Sequence, residues 1–183
     1  MKSTVKSPKK FSWMNPKLEV RRTEKYGKGV FAKENIKKGD MLAVHGGFII
    51  TVEKESNLPD KFKDHGVQIS EDFVISCKTY DEDDGYFNHS CNPNAGYKGQ
   101  IFLVAMKKII KDEEVTFDYG MVLHKTRNVK PYRMRCLCGS ENCRRYITCY
   151  DWQIPEVQKK YDGYFQWYLQ EKIDKMKKKR FKK

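Results

Sequence analysis

The sequence predicts a mainly β domain of several small sheets that ends in an α-helix. Between residues 18 and 117, short apolar runs alternate with polar residues and are separated by turns that contain glycine. After Pro155 the apolar residues recur at spacings of three and four, which is typical of an amphipathic helix. A chain of 183 residues has the usual size of one domain, with one hydrophobic core.

The predicted strands are short and follow one another closely. Glycine-containing turns are predicted at 26–29 and 38–40, and residues 52–66 fit a short helix or a loop equally well. The strands are predicted at 18–20, 30–32, 41–44, 67–76, 101–106 and 115–117. Strands of this length are expected to form small sheets rather than one large sheet.

The last predicted element is a single amphipathic helix that begins near Pro155, a residue suited to the first helical turn. Its apolar stripe consists of Val157, Tyr161, Tyr164, Phe165, Tyr168, Leu169, Ile173 and Met176. We expect this stripe to pack against the body of the domain rather than to bind a cofactor.

The charge is concentrated at the two ends of the chain. Residues 1–10 contain four lysines and no acid, and residues 172–183 contain seven lysines, one arginine and one aspartate. These ends hold +11 of the net charge of +13, which leaves about +2 for residues 11–171. Basic tails suit contact with nucleic acid, but they can equally well serve solubility alone.

The apolar runs are all shorter than the roughly 20 residues of a membrane helix, and no apolar segment follows the basic N-terminus. We therefore expect an intracellular protein without membrane contact: nuclear in a eukaryotic or viral setting, and cytoplasmic or nucleoid-associated in a prokaryote. In such a compartment the six cysteines are expected to serve a metal or a catalytic site rather than disulfides.

Three cysteines lie within eight residues, at Cys136, Cys138 and Cys143. This spacing allows three thiolates to bind one cation, and a tetrahedral zinc ion needs a fourth ligand. The candidates for the fourth ligand are Cys77, Cys91, Cys149 and the histidines. Buried thiols or a redox pair would be the alternatives, but they explain the crowding less well.

Three further segments carry side chains suited to chemistry. Residues 88–94 surround a histidine and a thiol with turn-forming residues, and residues 113–120 form an acidic turn and a strand that ends on a tyrosine. Residues 26–32 contain two glycines that permit close approach of the backbone to a ligand. Each segment alone is equally typical of an ordinary loop, strand or turn.

In this order and spacing, the four segments resemble the SET family of protein-lysine methyltransferases with its post-SET cysteine segment. The resemblance covers about residues 18–148, and residues 151–172 resemble a tail of small stand-alone, microbial-type members. It implies small curved β-sheets and a knot-like crossing of segments 88–91 and 117–119 at the active site. S-adenosylmethionine would bind on one face, and the target lysine would enter from the other.

The resemblance also assigns cofactor contacts. Lys28, Gly29 and Val30 match the backbone stretch that holds the methionine part of the cofactor. Asn88 and His89 match the pair that contacts the cofactor near its adenosyl part.

Catalysis and metal binding are implied for residues further along the chain. Tyr119 matches the catalytic tyrosine, and Leu137 is expected to pack on the adenine. The implied zinc ligands are Cys91, Cys136, Cys138 and Cys143. His45, His65 and His124 receive no role, and Cys77 and Cys149 are expected to be buried fillers or free thiols.

Phe117 lies two residues before Tyr119. In the family, a tyrosine here favours monomethylation, whereas phenylalanine leaves room for more methyl groups, so di- or trimethylation is expected. Phe117 can also be read simply as a core residue of a strand.

The expected substrate is a basic protein, either histone-like, DNA-associated or ribosomal, which the acidic run at 81–84 could attract. The expected division is a basic segment at 1–16, a SET domain at 17–130, a post-SET zinc segment at 131–149, and a helix with a basic tail at 150–183. A non-catalytic, zinc-stabilised SET-like binding module and a small zinc-containing nucleic-acid binder are the competing hypotheses.

Overall fold

The structure is a computed structural model that describes residues 11–23, 25, 27–59, 66–76 and 83–180, the last range without the side chains of Asp83, Asp84 and Arg180. Several sequence-based expectations therefore lie outside the described residues. They concern the basic residues 1–10, Tyr26, His65, Cys77 and the side chains of the acidic run at 81–84.

Thirteen short strands and three α-helices occupy the described part of the chain. The strands are β1 (Trp13–Met14), β2 (Leu18–Thr23), β3 (Gly27–Ala32), β4 (Met41–Val44), β5 (Phe48–Thr51), β6 (Val67–Gln68), β7 (Phe73–Ser76), β8 (Asn88–His89), β9 (Ala95–Lys98), β10 (Phe102–Ala105), β11 (Glu114–Phe117), β12 (Arg133–Arg135) and β13 (Tyr146–Thr148). The α-helices are α1 (Val52–Ser56), α2 (Pro155–Lys160) and α3 (Trp167–Arg180).

These strands form four small sheets. Their orders are β1-β4-β10-β9, β2-β3-β11-β8, β5-β7-β6 and β12-β13. Pairings are antiparallel except between β8 and β11, which run in parallel. The second of these sheets places the glycine-rich strand β3 and the histidine-bearing strand β8 on either side of β11.

The main core lies between the two four-stranded sheets and extends under the C-terminal helices. Val30, Leu103 and Val115 are fully buried there. The C-terminal region adds Tyr161 and Leu169 to the same cluster. The predicted apolar stripe therefore packs on the body, and burying such side chains is the main source of stability.

The prediction of one continuous helix after Pro155 is wrong, because α2 ends at Lys160 and α3 begins at Trp167. Gly163 has φ +74°, a left-handed conformation that interrupts the helix and that glycine adopts without strain. The non-helical backbone pairs with the body instead: Tyr97 N–H donates to Tyr164 O at 2.9 Å, and Gln166 N–H donates to Met121 O at 3.1 Å. The apolar spacing persists across this break.

Two strand predictions also need correction. The predicted strand at 67–76 is a hairpin of β6 and β7, because the hydroxyl of Ser70 accepts hydrogen bonds from Phe73 N–H and Asp72 N–H and thereby forms a turn. Lys28 and Gly29, which fall in a predicted turn, lie within β3.

The predicted fold class is confirmed: the described chain is mostly β, with several small sheets and a C-terminal helix. Among the described residues, no helix combines the length and the apolar character that a membrane crossing requires.

Candidate functional site

Segments 88–91 and 117–119 lie side by side at the centre of the molecule, and we refer to them together as the crossing. Thr116 pairs with Asn88 and Phe117 pairs with His89. Ser90 N–H donates to Phe117 O at 3.2 Å and continues the contact beyond the strands. The crossing therefore brings together two segments that the sequence places almost 30 residues apart.

Tyr119 is held at both ends. Its backbone N–H donates to His89 Nδ1 at 3.1 Å, and its hydroxyl donates to Phe87 O at 3.2 Å. The centre of its ring lies 5.0 Å from that of Phe117 and 5.2 Å from that of His89. These contacts fix the position of the phenol oxygen, which is a requirement for a group that orients reacting atoms.

His89 is a buried, neutral imidazole. Burial lowers its pKa to about 4, although the nearby carboxylate of Asp118 opposes this shift. Because Nδ1 accepts from Tyr119 N–H, the neutral ring carries its proton on Nε2. Nε2 lies 3.4 Å from Cys91 Sγ, so His89 connects the tyrosine to the thiol cluster.

Four cysteines of the crossing and the C-terminal region converge on one point: the sulfur atoms of Cys91, Cys136, Cys138 and Cys143 all lie within 4.8 Å of one another. The sulfurs of Cys91 and Cys136 are 3.9 Å apart. A tetrahedral zinc ion with Zn–S bonds of about 2.3 Å requires sulfur separations of about 3.8 Å. The arrangement therefore fits zinc, whereas Cys149 is buried and does not belong to this group.

The thiols differ in acidity. Burial raises the pKa of Cys91 to about 11, against a hydrogen bond from Arg144 N–H, and burial also raises the pKa of Cys136. At Cys138 burial acts in the same direction, but hydrogen bonds from Ser140 and other neighbours outweigh it and lower the pKa to about 6. Since a metal binds thiolates, metal binding here must release protons.

The sequence analysis missed a buried ion-pair network next to the cysteines. Arg144 donates from Nη1 and Nη2 to both oxygens of Asp118 at 2.7 Å and from Nε to Asp151 at 2.9 Å. The Asp118 side chain is 0% exposed. Burial tends to lower the pKa of Arg144, but the bonds to Asp118 outweigh it and raise that pKa. The available signal was an arginine directly after Cys143 and an aspartate directly before Tyr119.

A second face of the crossing is bordered by the end of β3. Strand β11 pairs with β3 at Phe31 and Val30 only, so the edge of β3 before Val30 faces Asn88 instead of a strand. Asn88 Nδ2 donates to Lys28 O at 2.9 Å and to Glu114 Oε1 at 2.8 Å. A Cβ on Gly29 would lie 2.5 Å from Glu114 Oε1 and 2.9 Å from Asn88 Nδ2, so a side chain here would force both of these side chains to move.

The cysteine segment approaches the same region. A Cβ on Gly139 would lie 3.9 Å from Lys25 Nζ, next to β3. Leu137, two residues earlier, is 48% exposed, although it is apolar and flanked by two cysteines of the cluster. Lys28 Nζ contacts Tyr86, 4.4 Å from the centre of its ring. Exposed Lys28 with its tyrosine contact, together with an exposed apolar side chain, is suited to a ligand with polar and flat aromatic parts.

Tyr119 also lines a cavity of about 400 Å³. Phe87, Phe117 and Tyr119 line it, and its walls come from two different regions. One wall comprises α1, β6 and part of β7, and the other is the irregular chain at 122–133. The volume lies within the usual range for small-ligand sites.

The second wall runs into a strongly basic stretch, residues 125–135, which we call the basic segment. It contains no aspartate or glutamate and five cationic residues: Lys125, Arg127, Lys130, Arg133 and Arg135. Its backbone is held by Lys125 Nζ, which donates to Val129 O, and by the hydroxyl of Thr126, which donates to Glu71 O. This local charge was not predicted from the sequence, because only the two ends of the chain stand out in the distribution of net charge.

Two histidines without an assigned role also line the cavity. His45 is buried, and its Nε2 lies 2.9 Å from the hydroxyl of Tyr97. His124 stacks on Trp152 with a centroid distance of 5.4 Å. Burial, with a contribution from Lys172, lowers the pKa of His124. The structure brings the four cysteines together, joins Tyr119 to His89 and Asn88 to Lys28, and adds these two histidines to the cavity lining.

The mainly β fold, the parallel crossing and the thiol cluster define the architecture expected of a SET protein. The SET domain family model matches residues 27–120, which is more than half of the chain. The chain therefore belongs to the SET domain family.

Curated relatives agree with this assignment. The variant-silencing SET domain-containing protein of Plasmodium falciparum is 29% identical over 70% of this chain, and histone-lysine N-methyltransferase 2B of Homo sapiens is 31% identical over 70%. Histone-lysine N-methyltransferase ASHH3 of Arabidopsis thaliana is 30% identical over 72%. The matched regions span only 6%, 5% and 38% of these relatives, respectively.

Solved structures with the same fold include KRYPTONITE in complex with mCHG DNA and SAH, with a TM-score of 0.54 and 26% identity. That match covers 70% of this chain and 28% of the other. The methyltransferase domain of human histone-lysine N-methyltransferase SETMAR has a TM-score of 0.56 and 19% identity, covering 70% of this chain and 56% of that domain.

Proposed function

We propose that this protein is an S-adenosylmethionine-dependent protein-lysine N-methyltransferase. The observation that carries the proposal is the position of Tyr119, fixed at its backbone by His89 and at its hydroxyl by Phe87. Tyr119 lines the cavity, and its partner His89 is preceded by Asn88, which donates a hydrogen bond to Lys28 O in β3. Two binding regions that meet at one oriented hydroxyl suit a transfer between two molecules.

The region at Lys28, Gly29 and Asn88 is the proposed cofactor site, because Lys28 is exposed, Asn88 rather than a strand borders this part of β3, and Gly29 carries no side chain. The bound cofactor would supply a methyl group on a positively charged sulfur. Val30 would continue the backbone contact and His89 would support the adenosyl part, while Leu137 would cover the adenine. SAH in the KRYPTONITE complex is the demethylated form of this cofactor and supports the proposal.

The cavity is the proposed site of the target lysine. The lysine must arrive neutral, although its ordinary pKa is about 10.4. Apolar lining by Phe87 and Phe117 disfavours an ammonium group, and the cations of the basic segment disfavour it further. The neutral nitrogen would form its bond to the methyl carbon as the carbon–sulfur bond breaks, and water would take the extra proton. Tyr119 would orient the amine.

The four-thiol cluster is the proposed zinc site, with Cys91, Cys136, Cys138 and Cys143 as ligands. Its role would be structural, since four thiolates leave no open position on a tetrahedral ion. It would fasten the segment that carries Leu137 to the crossing. The divisions at 17–130, 131–149 and 150–183 remain our proposal for the functional regions.

Phe117 is proposed to permit di- or trimethylation. Its buried ring lines the cavity and lies edge-on to Tyr97 at a centroid distance of 5.4 Å. A Phe117→Tyr variant would add a hydroxyl near the amine and is expected to shift the products toward monomethyl-lysine. Mass spectrometry of the products measures this shift, and an unchanged distribution of methylation states would contradict the proposed role.

The proposed substrates are histone-like, DNA-associated or ribosomal proteins, and the names of several relatives specify histone lysine. Contact with nucleic acid through the basic ends is proposed as well. In α3, Lys172 and Lys177 already pair with Glu71 and Asp162, so these two lysines contribute less to such a contact. An intracellular location, nuclear in a eukaryotic or viral setting and cytoplasmic or nucleoid-associated in a prokaryote, follows from these substrates.

The test is transfer of a labelled methyl group from S-adenosylmethionine into histones, DNA-binding proteins and a ribosomal fraction, with the modified residue identified by mass spectrometry. Wild-type protein is expected to methylate lysine. Tyr119→Phe is expected to lose most of this activity, by about 100-fold or more, while still binding the cofactor. Tyr150→Phe, which alters an exposed tyrosine outside the cavity lining, is the matched control.

If the wild-type protein binds the cofactor but transfers no methyl group to any fraction, the non-catalytic SET-like binding module becomes the better account. If Tyr119→Phe and Tyr150→Phe retain the same activity, the proposed role of Tyr119 is wrong even though the enzyme is active.

A further inference from the structure

The walls of the cavity beside Tyr119 differ in charge. Among the described residues that line it, Lys125, Lys130 and Arg133 are cationic, whereas Glu55 is the one carboxylate. Glu55 accepts a hydrogen bond from Gly66 N–H at 3.0 Å within its own wall. The cationic lining residues all belong to the basic segment. The described charged side chains of the lining are therefore mostly cationic and come from one part of the chain.

The cations of the basic segment differ in how they are held. Lys125 is engaged by backbone carbonyls, and the guanidinium of Arg133 lies 4.2 Å from the centre of the Tyr146 ring. Arg127, Lys130 and Arg135 are exposed, and none of them has a carboxylate partner in the ranges that the structure describes. These three side chains can pair with groups on another molecule.

A peptide that places a lysine next to Tyr119 must leave the cavity along its walls. Each extended residue advances about 3.4 Å, so the residues next to the lysine pass along the cavity lining, which includes Lys130 of the basic segment. Arginine or lysine at those positions would meet like charge, whereas aspartate or glutamate would meet opposite charge. Complementary charge at this point would select among lysines of one protein.

We infer that the target lysine lies in a locally acidic segment of its protein, with carboxylates that pair with Arg127, Lys130 and Arg135. This inference rests on the proposed methyl transfer to lysine and specifies which lysines are accepted. It concerns only the few residues that flank the target, so a protein that is basic as a whole can satisfy it.

The test uses short peptides with one central lysine and acidic, neutral or basic flanks. The acidic residues are placed either before or after the lysine, which also reveals the direction in which the peptide crosses the cavity. Wild-type protein is expected to have kcat/KM about tenfold higher for an acidic flank than for a neutral one, as expected for a few exposed ion pairs. Basic flanks are expected to give the lowest value.

A double variant, Arg127→Glu with Lys130→Glu, is expected to reverse this order of preference. The matched control is Lys107→Glu with Lys108→Glu, which makes the same change in net charge at exposed residues outside the cavity lining. The control is expected to keep the wild-type order. A preference for basic flanks in the wild type, or an order that the double variant leaves unchanged, would overturn the inference.

Peptide affinity is measured in parallel by fluorescence anisotropy, so that the two proposals can be separated. If no peptide is methylated, the proposed function is in doubt, and the inference is then judged on affinity alone, with the same expected order and reversal. If the double variant loses binding to a DNA duplex but keeps the wild-type order of peptides, the basic segment is a nucleic-acid contact and the inference is wrong.

Discussion

The crossing and the basic segment border the same cavity, but they are held in place by different means. In the crossing, buried side chains and backbone groups form short hydrogen bonds over long sequence separations, such as Tyr119 N–H to His89 Nδ1 at 3.1 Å. In the basic segment, residues 125–132 form no strand or helix, and four of the five cations are exposed. Buried contacts therefore characterise the crossing, and exposed charge characterises the basic segment.

This difference suits two different roles for the two regions. A group that orients reacting atoms must be fixed to within fractions of an ångström, which requires packing and redundant hydrogen bonds. A surface that selects substrates by charge acts over longer distances and tolerates mobility. Changes in the crossing should therefore affect folding and turnover strongly, whereas changes in the basic segment should affect substrate preference.

The largest effect is expected from removing a thiol that anchors the crossing. Cys136→Ser should abolish binding of one zinc ion per chain and lower thermal stability more than any other single change, because zinc binding and folding are coupled. Metal analysis and thermal unfolding measure both effects. Cys149→Ser, at a buried cysteine outside the cluster, should keep the metal. Wild-type protein that holds no zinc after purification with zinc present would contradict the prediction.

Next in size is the loss of the buried arginine. Arg144→Ala should lower the free energy of unfolding by about 3–5 kcal/mol, because it leaves the fully buried carboxylate of Asp118 without its partner. Urea unfolding measures the change. Arg145→Ala removes the exposed neighbouring arginine and should have little effect. Equal destabilisation by the two variants would mean that the ion pair does not hold the crossing in place.

A smaller effect is expected at Gly29 in β3. Gly29→Ala places a Cβ against Asn88 and Glu114, and such overpacking costs about 1–3 kcal/mol. It should also weaken binding of S-adenosylmethionine, as measured by calorimetry. Gly163→Ala is the control, since its strain comes from φ +74° in a distant turn and should lower stability without changing cofactor affinity. Unchanged cofactor affinity in Gly29→Ala would argue against this site.

The smallest effect concerns His124 in the cavity wall. Burial lowers its pKa below the ordinary value of 6.5, so the unfolded chain binds a proton more readily than the folded one. Its contribution to stability is therefore complete above pH 6.5 and is lost as the pH falls below that value. His124→Gln should reduce the slope of unfolding free energy against pH in this acidic range. The variant is expected to retain the part of this pH dependence that comes from His89. A slope identical to that of the wild type would contradict the assignment.

Much of the fold and site could be predicted because the signals are local in sequence. The spacing of Cys136, Cys138 and Cys143 predicts a metal site. Apolar alternation locates most strands within a few residues. The resemblance to the SET family supplied Cys91 and Tyr119, which local spacing alone does not connect. The structure then places these residues in contact, as expected.

Other features depend on contacts between distant segments and leave no local pattern. Arg144 and Asp118 are 26 residues apart in the sequence. The residues next to each of them do not indicate that these two side chains form a pair. The break between α2 and α3 arises because Tyr164 O and Gln166 N–H bond to the body rather than within a helix. The apolar spacing is the same with or without that break, so the pattern could not reveal it.

The hydrogen bonds to the carbonyl of Cys91 determine when this region can fold during synthesis. It accepts hydrogen bonds from Lys160 Nζ at 2.8 Å and from the hydroxyl of Tyr161 at 2.9 Å, about 70 residues later in the chain. During synthesis, the N-terminal part of a chain emerges from the ribosome first. A nascent chain that has already exposed Tyr119 therefore still lacks the two groups that bond to the Cys91 carbonyl, and the crossing is completed only after Tyr161 has left the exit tunnel.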